Sequence, residues 1–393
     1  MKSAAKAAAD EPHIFVVAGE ESGDRLGGAL IAAIKKRAQG RVHFSGVGGP
    51  HMAAEGMPSL YSLNDLSSFG FASLLGRLPT MLRRMRETAD AIISANPNVL
   101  VIIDSPDFTH RIARKVRARD PGISIVDYVC PTVWAWRPGR ARVMRAYVDH
   151  VLALFPFEPE IMQRLGGPPT TFVGHPLGEQ VSMLRPPVGN GDPRLAVPPL
   201  LLVLPGSRTG EIRRMADIFG EAVARVAEQV KPLEIVVPAV PRLAETINAV
   251  VARWRVPVRV VVDAKEKHEA FRRARAALTK SGTSTLELAL AGVPMAAAYK
   301  VPLIEEAVGR LLITATSAIL PNLILGKNVV PEFLQRDCTP ENLSKAVLPL
   351  LSDTPERRRQ VEAFKHLDSL MQLGHATPSE RAAEIVLDYA ARR

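Results

Sequence analysis

The sequence predicts an α/β fold made of two Rossmann-like, doubly wound domains that face each other across a cleft. Short apolar runs such as "HIFVVAG", "NVLVIIDSP" and "LLLVLPGS" alternate with helical patterns along most of the chain. Continuous β-rich runs of this kind are typical of parallel strands covered on both faces. The runs form two series separated by the Pro- and Gly-rich segment "RPPVGNGDPRLAVPP", and 393 residues are many for a single core.

The same patterns predict the domain boundaries. Residues 1–13 are Ala-rich without a continuous apolar stretch, and we interpret them as a disordered leader. The first domain is expected over residues 14–180, a linker over 181–198 and the second domain over 199–355. Residues 356–393 have helical periodicity and are expected to form terminal helices, with packing against the first domain left open.

Charge and cysteine content narrow the class of protein. The chain has 50 basic and 40 acidic residues, a formal net charge of +10, which suits nucleic acid, a phosphorylated substrate or an acidic membrane surface. Cys130 and Cys338 have no metal-ligand spacing, which disfavours a zinc site or disulfide framework and favours a reduced cytosolic compartment. No apolar run approaches the roughly 18 residues of a membrane span.

The turn in "LLVLPGSRTGEIRRM" has the clearest pattern for phosphate binding. It places Gly206, Ser207 and Arg208 between a strand and a helix. Backbone amides at a helix start and a forked guanidinium can together bind a diphosphate, and Arg208 would also stabilise charge on a departing nucleotide. The alternative is an ordinary strand-to-helix turn with a solvated arginine.

A second turn, "LTKSGTSTLELAL", lies in the same half of the chain. Ser281, Gly282 and Thr283 form its loop, and Glu287 falls on the following helix, where a carboxylate can accept hydrogen bonds from both ribose hydroxyls. The alternative is a capped helix whose glutamate faces solvent. Both turns follow strands of one predicted sheet, so we expect a nucleotide at its carboxyl edge.

In the first half, "VIIDSPDF" ends a strand with Asp104 and Asp107. Asp107 could take a proton from an attacking hydroxyl, or the two aspartates could satisfy the turn and cap the next helix. The motif "AGEESGD" lacks the G-x-G-x-x-G spacing, and its three carboxylates would repel a phosphate. We therefore expect its glycines to let the backbone approach sugars, with Ser22 as a hydrogen-bonding group and Asp24 as a second candidate base.

Two further segments combine apolar and basic residues. In "PTVWAWRPGRARVMR", Trp136, Arg137 and the arginines that follow could hold a phosphorylated sugar, nucleic acid or anionic lipid, or could be core and solvated surface. Residues 66–87 place an apolar stretch beside a basic one, which is typical of an interfacial helix and equally of core packing. The candidate membrane or acyl-chain contacts of this stretch are Phe69, Phe71, Leu74 and Leu75.

Nine motifs, in order, resemble the lipid-A-disaccharide synthase family: "AGEESGD", "GVGGPHM", "DSPDF", "PTVWAWRPGR", "FPFE", "FVGHPL", "LPGSR", "SGTSTLE" and "PNLILG". The resemblance implies a GT-B glycosyltransferase of Gram-negative bacteria. Such an enzyme joins UDP-2,3-diacylglucosamine to 2,3-diacylglucosamine 1-phosphate, giving the β(1→6) lipid A disaccharide 1-phosphate and UDP. By motif position, the resemblance implies that Asp107 is the general base and that Arg208 contacts the diphosphate. It likewise implies that Glu287 and Asn322 lie near the donor.

The resemblance also implies no cofactor, no metal and no nucleic-acid partner, in agreement with the lack of an Asp-x-Asp triplet. An α-linked donor that gives a β-linked product implies inversion at the anomeric carbon. Such a transfer needs one general base and no covalent intermediate. We expect a cytoplasmic protein attached peripherally to the anionic cytoplasmic face of the inner membrane, and leave a homodimer open. Two rival hypotheses are a UDP-N-acetylglucosamine 2-epimerase and a non-catalytic sugar-nucleotide sensor.

Overall fold

The computed structural model describes residues 11–63, 65, 74–187, 192–302, 306, 316–374 and 376–393, with only the backbone of residues 74–78. Phe69 and Phe71, and the side chains of Leu74 and Leu75, therefore lie outside the described residues. The chain divides into two compact units. Unit 1 comprises the described residues up to Pro176 together with Leu373–Arg393, and unit 2 comprises Leu177–Gln372.

Unit 1 is built on a six-stranded parallel sheet in the order β2-β1-β3-β4-β5-β6. Its strands are β1 (His13–Ala18), β2 (His43–Val47), β3 (Val99–Ile103), β4 (Ser124–Tyr128), β5 (His150–Ala153) and β6 (Thr170–Phe172). Its described helices are α1 (Glu21–Arg37), α2 (Pro50–Ala54), α3 (Leu74–Ala95), α4 (Pro106–Arg119), α5 (Gly139–Met144), α6 (Glu158–Arg164) and, after unit 2, α15 (Pro378–Ala390).

Both faces of this sheet are covered, which explains the continuous apolar strands. Phe15 and Val17 of β1 pack in a core with residues of α3, α4 and α5. Alternate residues of the same strand, Ile14 and Val16, pack on the other face with residues of α1 and α15. Because successive side chains of a strand point to opposite faces, a strand buried on both sides needs apolar residues throughout.

Unit 2 repeats the plan with the strand order β12-β11-β10-β7-β8-β9, again all parallel. Its strands are β7 (Leu200–Leu204), β8 (Glu234–Pro238), β9 (Arg259–Val261), β10 (Ala274–Lys280), β11 (Met295–Tyr299) and β12 (Glu332–Leu334). Its described helices are α7 (Leu177–Leu184), α8 (Thr209–Gln229), α9 (Ala244–Val251), α10 (Ala264–Arg273), α11 (Thr283–Ala291), α12 (Leu320–Leu325), α13 (Pro340–Val347) and α14 (Pro355–Met371).

The units divide at Pro176–Leu177, before the segment 181–198 in which the linker was predicted. The reason is that α7 packs against α10 and α11 of unit 2. The two terminal helices also separate, since α14 belongs to unit 2 and α15 packs against α1 in unit 1. Among the described residues, no helix is both long and apolar enough to cross a bilayer.

Candidate active site

The strand order of unit 1 identifies one crevice at the carboxyl edge of its sheet. β1 lies between β2 and β3 in the sheet. The connection from β1 to β2 therefore runs to one side of β1, and the later strand β3 lies on its other side. Open α/β sheets bind ligands at such a switch point, outside the carboxyl ends of the two strands. The connections that follow β1 and β3 are those of the "AGEESGD" and "DSPDF" motifs.

These two connections are in direct contact. The Ser22 hydroxyl donates a hydrogen bond to Asp104 Oδ2 at 3.1 Å. A Cβ added to Gly19 would lie 2.6 Å from Cβ of Ser105, so only glycine permits this approach. Asp104 and Ser105 have φ angles of 53° and 46°, a left-handed backbone uncommon outside glycine. Ser22 and Asp104 are therefore brought together, as the convergence of two strand ends predicts.

Asp107 lies in the first turn of α4, beside the same crevice. Its side chain is 80 % exposed, and Arg140 Nη2 donates to its Oδ1 at 3.1 Å. The ring of Trp136 lies under the guanidinium of Arg137, 4.4 Å from its central carbon, and the indole N–H donates to Thr132 Oγ1. An accessible carboxylate oriented by an arginine can accept a proton from a bound hydroxyl.

Asp24 has a structural role instead. It is completely buried, and its carboxylate accepts hydrogen bonds from the backbone amides of Gly49, His51 and Met52 at 2.7, 2.9 and 3.1 Å. Asp24 on α1 thus holds the start of α2 against it. Because both oxygens are engaged and neither is accessible to a sugar, this geometry does not support Asp24 as the second candidate for the catalytic base.

Glu158, which the sequence patterns do not single out, is a buried acid at the start of α6, the helix that follows β5. It is 2 % exposed and accepts hydrogen bonds from Trp134 Nε1 at 3.1 Å and the Phe155 amide at 2.9 Å. The ring of Trp134 packs edge-on against Phe157. Burial raises the pKa of Glu158 to about 8, although its hydrogen bonds act in the opposite direction. The spacing of "VWAW" and "FPFE" could not reveal this contact.

The raised pKa of Glu158 predicts a pH-dependent stability. Between its ordinary pKa of 4.5 and about 8, the unfolded chain loses a proton that the folded chain keeps, so the free energy of unfolding falls as pH rises. One such group contributes a slope of up to about 1.4 kcal/mol per pH unit. Glu158→Gln should flatten the decline in urea unfolding across this window. Glu160→Gln, an exposed glutamate of the same helix, is the control, and parallel curves for Glu158→Gln and wild type would contradict the prediction.

Unit 2 has an equivalent switch point between β7 and β10, because β7 lies between β8 and β10. The two predicted turns follow these strands and are thus adjacent. Gly206 has a φ of 135°, and a Cβ there would lie 2.7 Å from Glu211 Cβ, so the turn requires glycine. Ser207 and Arg208 follow it exposed at the N-terminus of α8, whose free amides and dipole favour an anion.

Three charged residues that the sequence motifs do not single out surround this turn. Glu211 accepts hydrogen bonds from the Ser207 amide and from Lys280 Nζ, both at 3.0 Å, and Arg242 Nη2 lies 3.4 Å from the Ser207 carbonyl. Burial by itself would raise the pKa of Glu211, but the bonds from Lys280 and Ser207, with Arg208 nearby, hold it below its ordinary value. The turn is therefore bordered by a carboxylate and three cations.

The second turn divides into ligand-accessible and structural residues. Gly282 and Thr283 are exposed, whereas the Ser281 hydroxyl is buried and donates to the Ala318 carbonyl at 2.6 Å. Glu287 on α11 accepts a hydrogen bond from Lys267 Nζ at 2.6 Å. A carboxylate can accept several hydrogen bonds, so Glu287 remains suited to ribose hydroxyls.

Asn322 is 2 % exposed, and the protein itself satisfies its amide. Its Nδ2 donates to the Val330 carbonyl and to Glu332, and its Oδ1 accepts from the amides of Val329 and Val330. These bonds shape the 329–332 segment that leads into β12. Any effect of Asn322 on a ligand would therefore be exerted through this segment.

Comparison with solved structures identifies the fold class. A UDP-N-acetylglucosamine 2-epimerase matches over 98 % of both chains with a TM-score of 0.62 and 12 % identity. MurG from Acinetobacter baumannii matches over 96 % of this chain and 99 % of its own, with a TM-score of 0.58 and 16 % identity. At these identities the likeness concerns the fold alone. The predicted α/β GT-B class, with two Rossmann-like units, is confirmed.

Sequence comparison identifies the family. A lipid-A-disaccharide synthase from Nitrobacter hamburgensis is 56 % identical over 382 residues, covering 97 % of this chain and 96 % of the relative. One from Rhodopseudomonas palustris is 52 % identical over 388 residues and covers 99 % of both. The family model described as lipid-A-disaccharide synthetase matches residues 14–386. This chain therefore belongs to the lipid-A-disaccharide synthase family, as its nine motifs predict.

Proposed function

We propose that this glycosyltransferase joins UDP-2,3-diacylglucosamine to 2,3-diacylglucosamine 1-phosphate and releases UDP. Family membership over nearly the whole chain is the observation that carries the proposal, and it implies a sugar-nucleotide donor and a lipid-sugar phosphate acceptor. The two switch-point crevices support it, one bordered by cations beside Gly206–Arg208 and the other by carboxylates at Asp104 and Asp107. The first suits a diphosphate and the second suits a sugar hydroxyl.

In the proposed reaction, the 6-hydroxyl oxygen of the acceptor attacks C1 of the donor glucosamine. The C1–O bond to the diphosphate breaks as the new C–O bond forms on the opposite face, so an α-linked donor gives a β-linked product. Asp107 takes the hydroxyl proton, and Arg208 stabilises the negative charge that develops on the departing UDP. Each of these two roles is assigned to one side chain that is exposed at its crevice.

The donor contacts are assigned to Gly206, Ser207, Arg208, Gly282, Thr283 and Glu287, with Ser281 and Asn322 supporting the turns. Acceptor contacts are assigned to Ser22, Trp136 and Arg137, while Asp24 keeps its structural role. Trp136 offers an apolar ring next to the guanidinium of Arg137, which suits a sugar that carries a phosphate.

The proposal is tested by measuring UDP release with each substrate supplied alone and with both together. We expect UDP only when both acylated sugars are present. Conversion of UDP-N-acetylglucosamine to an isomer without an acceptor would support the epimerase instead. Binding of the donor without any turnover would support the sensor.

We also propose that unit 1 lies against an anionic membrane surface, where both acylated substrates would reside. The helices α3, α4 and α5 cover the same face of the unit 1 sheet and carry many exposed cations. These are Arg83, Arg86, Arg111, Arg114, Lys115, Arg119 and Arg142, together with Arg145 directly after α5. Each cation near an anionic surface contributes about 1 kcal/mol of attraction.

A vesicle-binding experiment tests this surface. The protein should sediment with vesicles that contain phosphatidylglycerol, and Arg142→Ser combined with Arg145→Ser should weaken binding by about tenfold or more. High salt should release the protein because surface charges are screened. Equal binding to neutral phosphatidylcholine vesicles at any salt concentration would contradict the proposal.

A further inference from the structure

We propose that Lys280 binds the diphosphate of the sugar nucleotide, an inference that rests on the donor site proposed above. Lys280 is the last residue of β10, one of the two strands that border the switch point of unit 2. It follows the apolar run of that strand and precedes the second turn, and its side chain is only 14 % exposed. Its ammonium group therefore lies inside the crevice rather than in bulk solvent.

The ammonium group lies close to both turns of the crevice. Lys280 Nζ donates to Glu211 Oε1 at 3.0 Å, and Glu211 Oε2 accepts from the Ser207 amide of the first turn. On the other side, Nζ would lie 3.6 Å from a Cβ on Gly282 of the second turn. Lys280 Nζ also lies 4.7 Å from the centre of the Tyr299 ring. A ligand that bridges the two turns would pass beside this group.

The charges around the first turn explain why a lysine is needed. Glu211 presents a carboxylate at the turn assigned to the diphosphate and would repel it. The side chain of Arg208 is 83 % exposed, so solvent screens its attraction for an anion, whereas Lys280 is largely shielded from solvent. The positive charge of Lys280 therefore offsets the repulsion between Glu211 and the diphosphate, in a part of the crevice where solvent screens charges least.

The donor geometry of an ammonium group permits both contacts. It has three N–H donors, and the hydrogen bond to Glu211 uses one of them. The remaining donors can turn toward phosphate oxygens without breaking the salt bridge. Glu211 thereby orients Lys280, and Lys280 provides the charge-assisted hydrogen bonds to the ligand.

The test compares UDP and uridine binding to wild type and Lys280→Met by calorimetry. A hydrogen bond to a charged group is strong enough that we expect the dissociation constant of UDP to rise by about tenfold or more. Uridine has no phosphate, so its affinity should stay unchanged. Lys280→Met removes the nearer of the two cations of Glu211 and leaves only Arg208 Nη1 at 3.8 Å. Lys280→Met combined with Glu211→Gln is therefore measured against Glu211→Gln alone, and it should show the same loss for UDP.

Lys345→Met serves as the matched control, because Lys345 is an exposed lysine of unit 2 that pairs with Glu341. Unchanged UDP affinity in the double variant relative to Glu211→Gln would overturn the inference. An equal loss for UDP and uridine would overturn it as well, since Lys280 would then act on the turn itself. Failure of the wild type to bind UDP would instead overturn the proposed donor site.

Discussion

Asp107→Asn is expected to lower kcat by about 10² to 10⁴ while leaving UDP affinity unchanged, because general-base catalysis contributes about that factor. The amide oxygen of asparagine can still accept the hydrogen bond that Arg140 Nη2 donates to Asp107 at 3.1 Å, so the turn should keep its geometry. The amide cannot take the proton of the attacking hydroxyl. Initial rates of UDP release at saturating substrates, with UDP binding measured separately, test this expectation.

Asp90→Asn is the matched control, since Asp90 is another exposed aspartate of unit 1 that is paired with an arginine, Arg119. It should keep wild-type turnover. Asp104→Asn tests the other carboxylate of the unit 1 crevice as the base. Asp104 accepts hydrogen bonds from the Ser22 hydroxyl and the Ser105 amide. Full activity in Asp107→Asn together with loss of activity in Asp104→Asn would assign the base to Asp104.

Arg208→Met should lower kcat/KM by about 10² to 10³, the loss typical when a charge-stabilising group is removed from a transition state. Arg208 is the N-cap residue of α8, and its side chain is 83 % exposed, so it adds little to the core. Methionine keeps much of the aliphatic length but removes the guanidinium. The thermal midpoint should therefore stay close to wild type while turnover falls.

Arg225→Met provides the control for Arg208→Met. Arg225 is an exposed arginine further along α8, away from the turn that follows β7. It should retain wild-type kcat/KM. If Arg208→Met raised KM for the donor without changing kcat, Arg208 would bind the ground state and transition state equally, and its assigned role on the departing UDP would be wrong.

The strands and their parallel arrangement could be predicted from the sequence, because a strand buried on both faces is a continuous run of apolar residues. Leu200–Leu204 is entirely apolar for this reason, and all five residues are buried. The turn after it could also be located, because this turn needs a glycine and a glycine is visible in the sequence. Gly206 has a positive φ and a close neighbour that would clash with a Cβ. These features depend on residues that are near one another in the sequence.

Contacts between distant residues could not be predicted in this way. Glu211 and Lys280 are 69 positions apart, and neither turn alone indicates that they meet. Asp24 lies in the first turn of a helix, as Asp107 does. Its carboxylate nevertheless accepts hydrogen bonds from the backbone amides of Gly49, His51 and Met52. Only the fold distinguishes a carboxylate that caps another helix from one that faces a ligand.

The division between the two units and the linker predicted over 181–198 differ in position for a related reason. Pro and Gly density marks where regular structure ends, but a domain ends where its core contacts end. Residues Leu177–Leu184 form α7 and pack with unit 2, so the change of unit precedes the Pro-rich segment. Likewise, α14 and α15 both have helical periodicity in the sequence, and only their contacts place them in different units.

The most direct test of the proposed reaction is the structure of its product. Purified protein is incubated with UDP-2,3-diacylglucosamine and 2,3-diacylglucosamine 1-phosphate, and the product is examined by mass spectrometry and by NMR of the anomeric protons. The proposal predicts one UDP released per disaccharide formed, with a β(1→6) bond and the acceptor phosphate retained. An α-linked disaccharide would contradict the single inverting displacement, and the absence of any disaccharide when both substrates bind would contradict the proposed function itself.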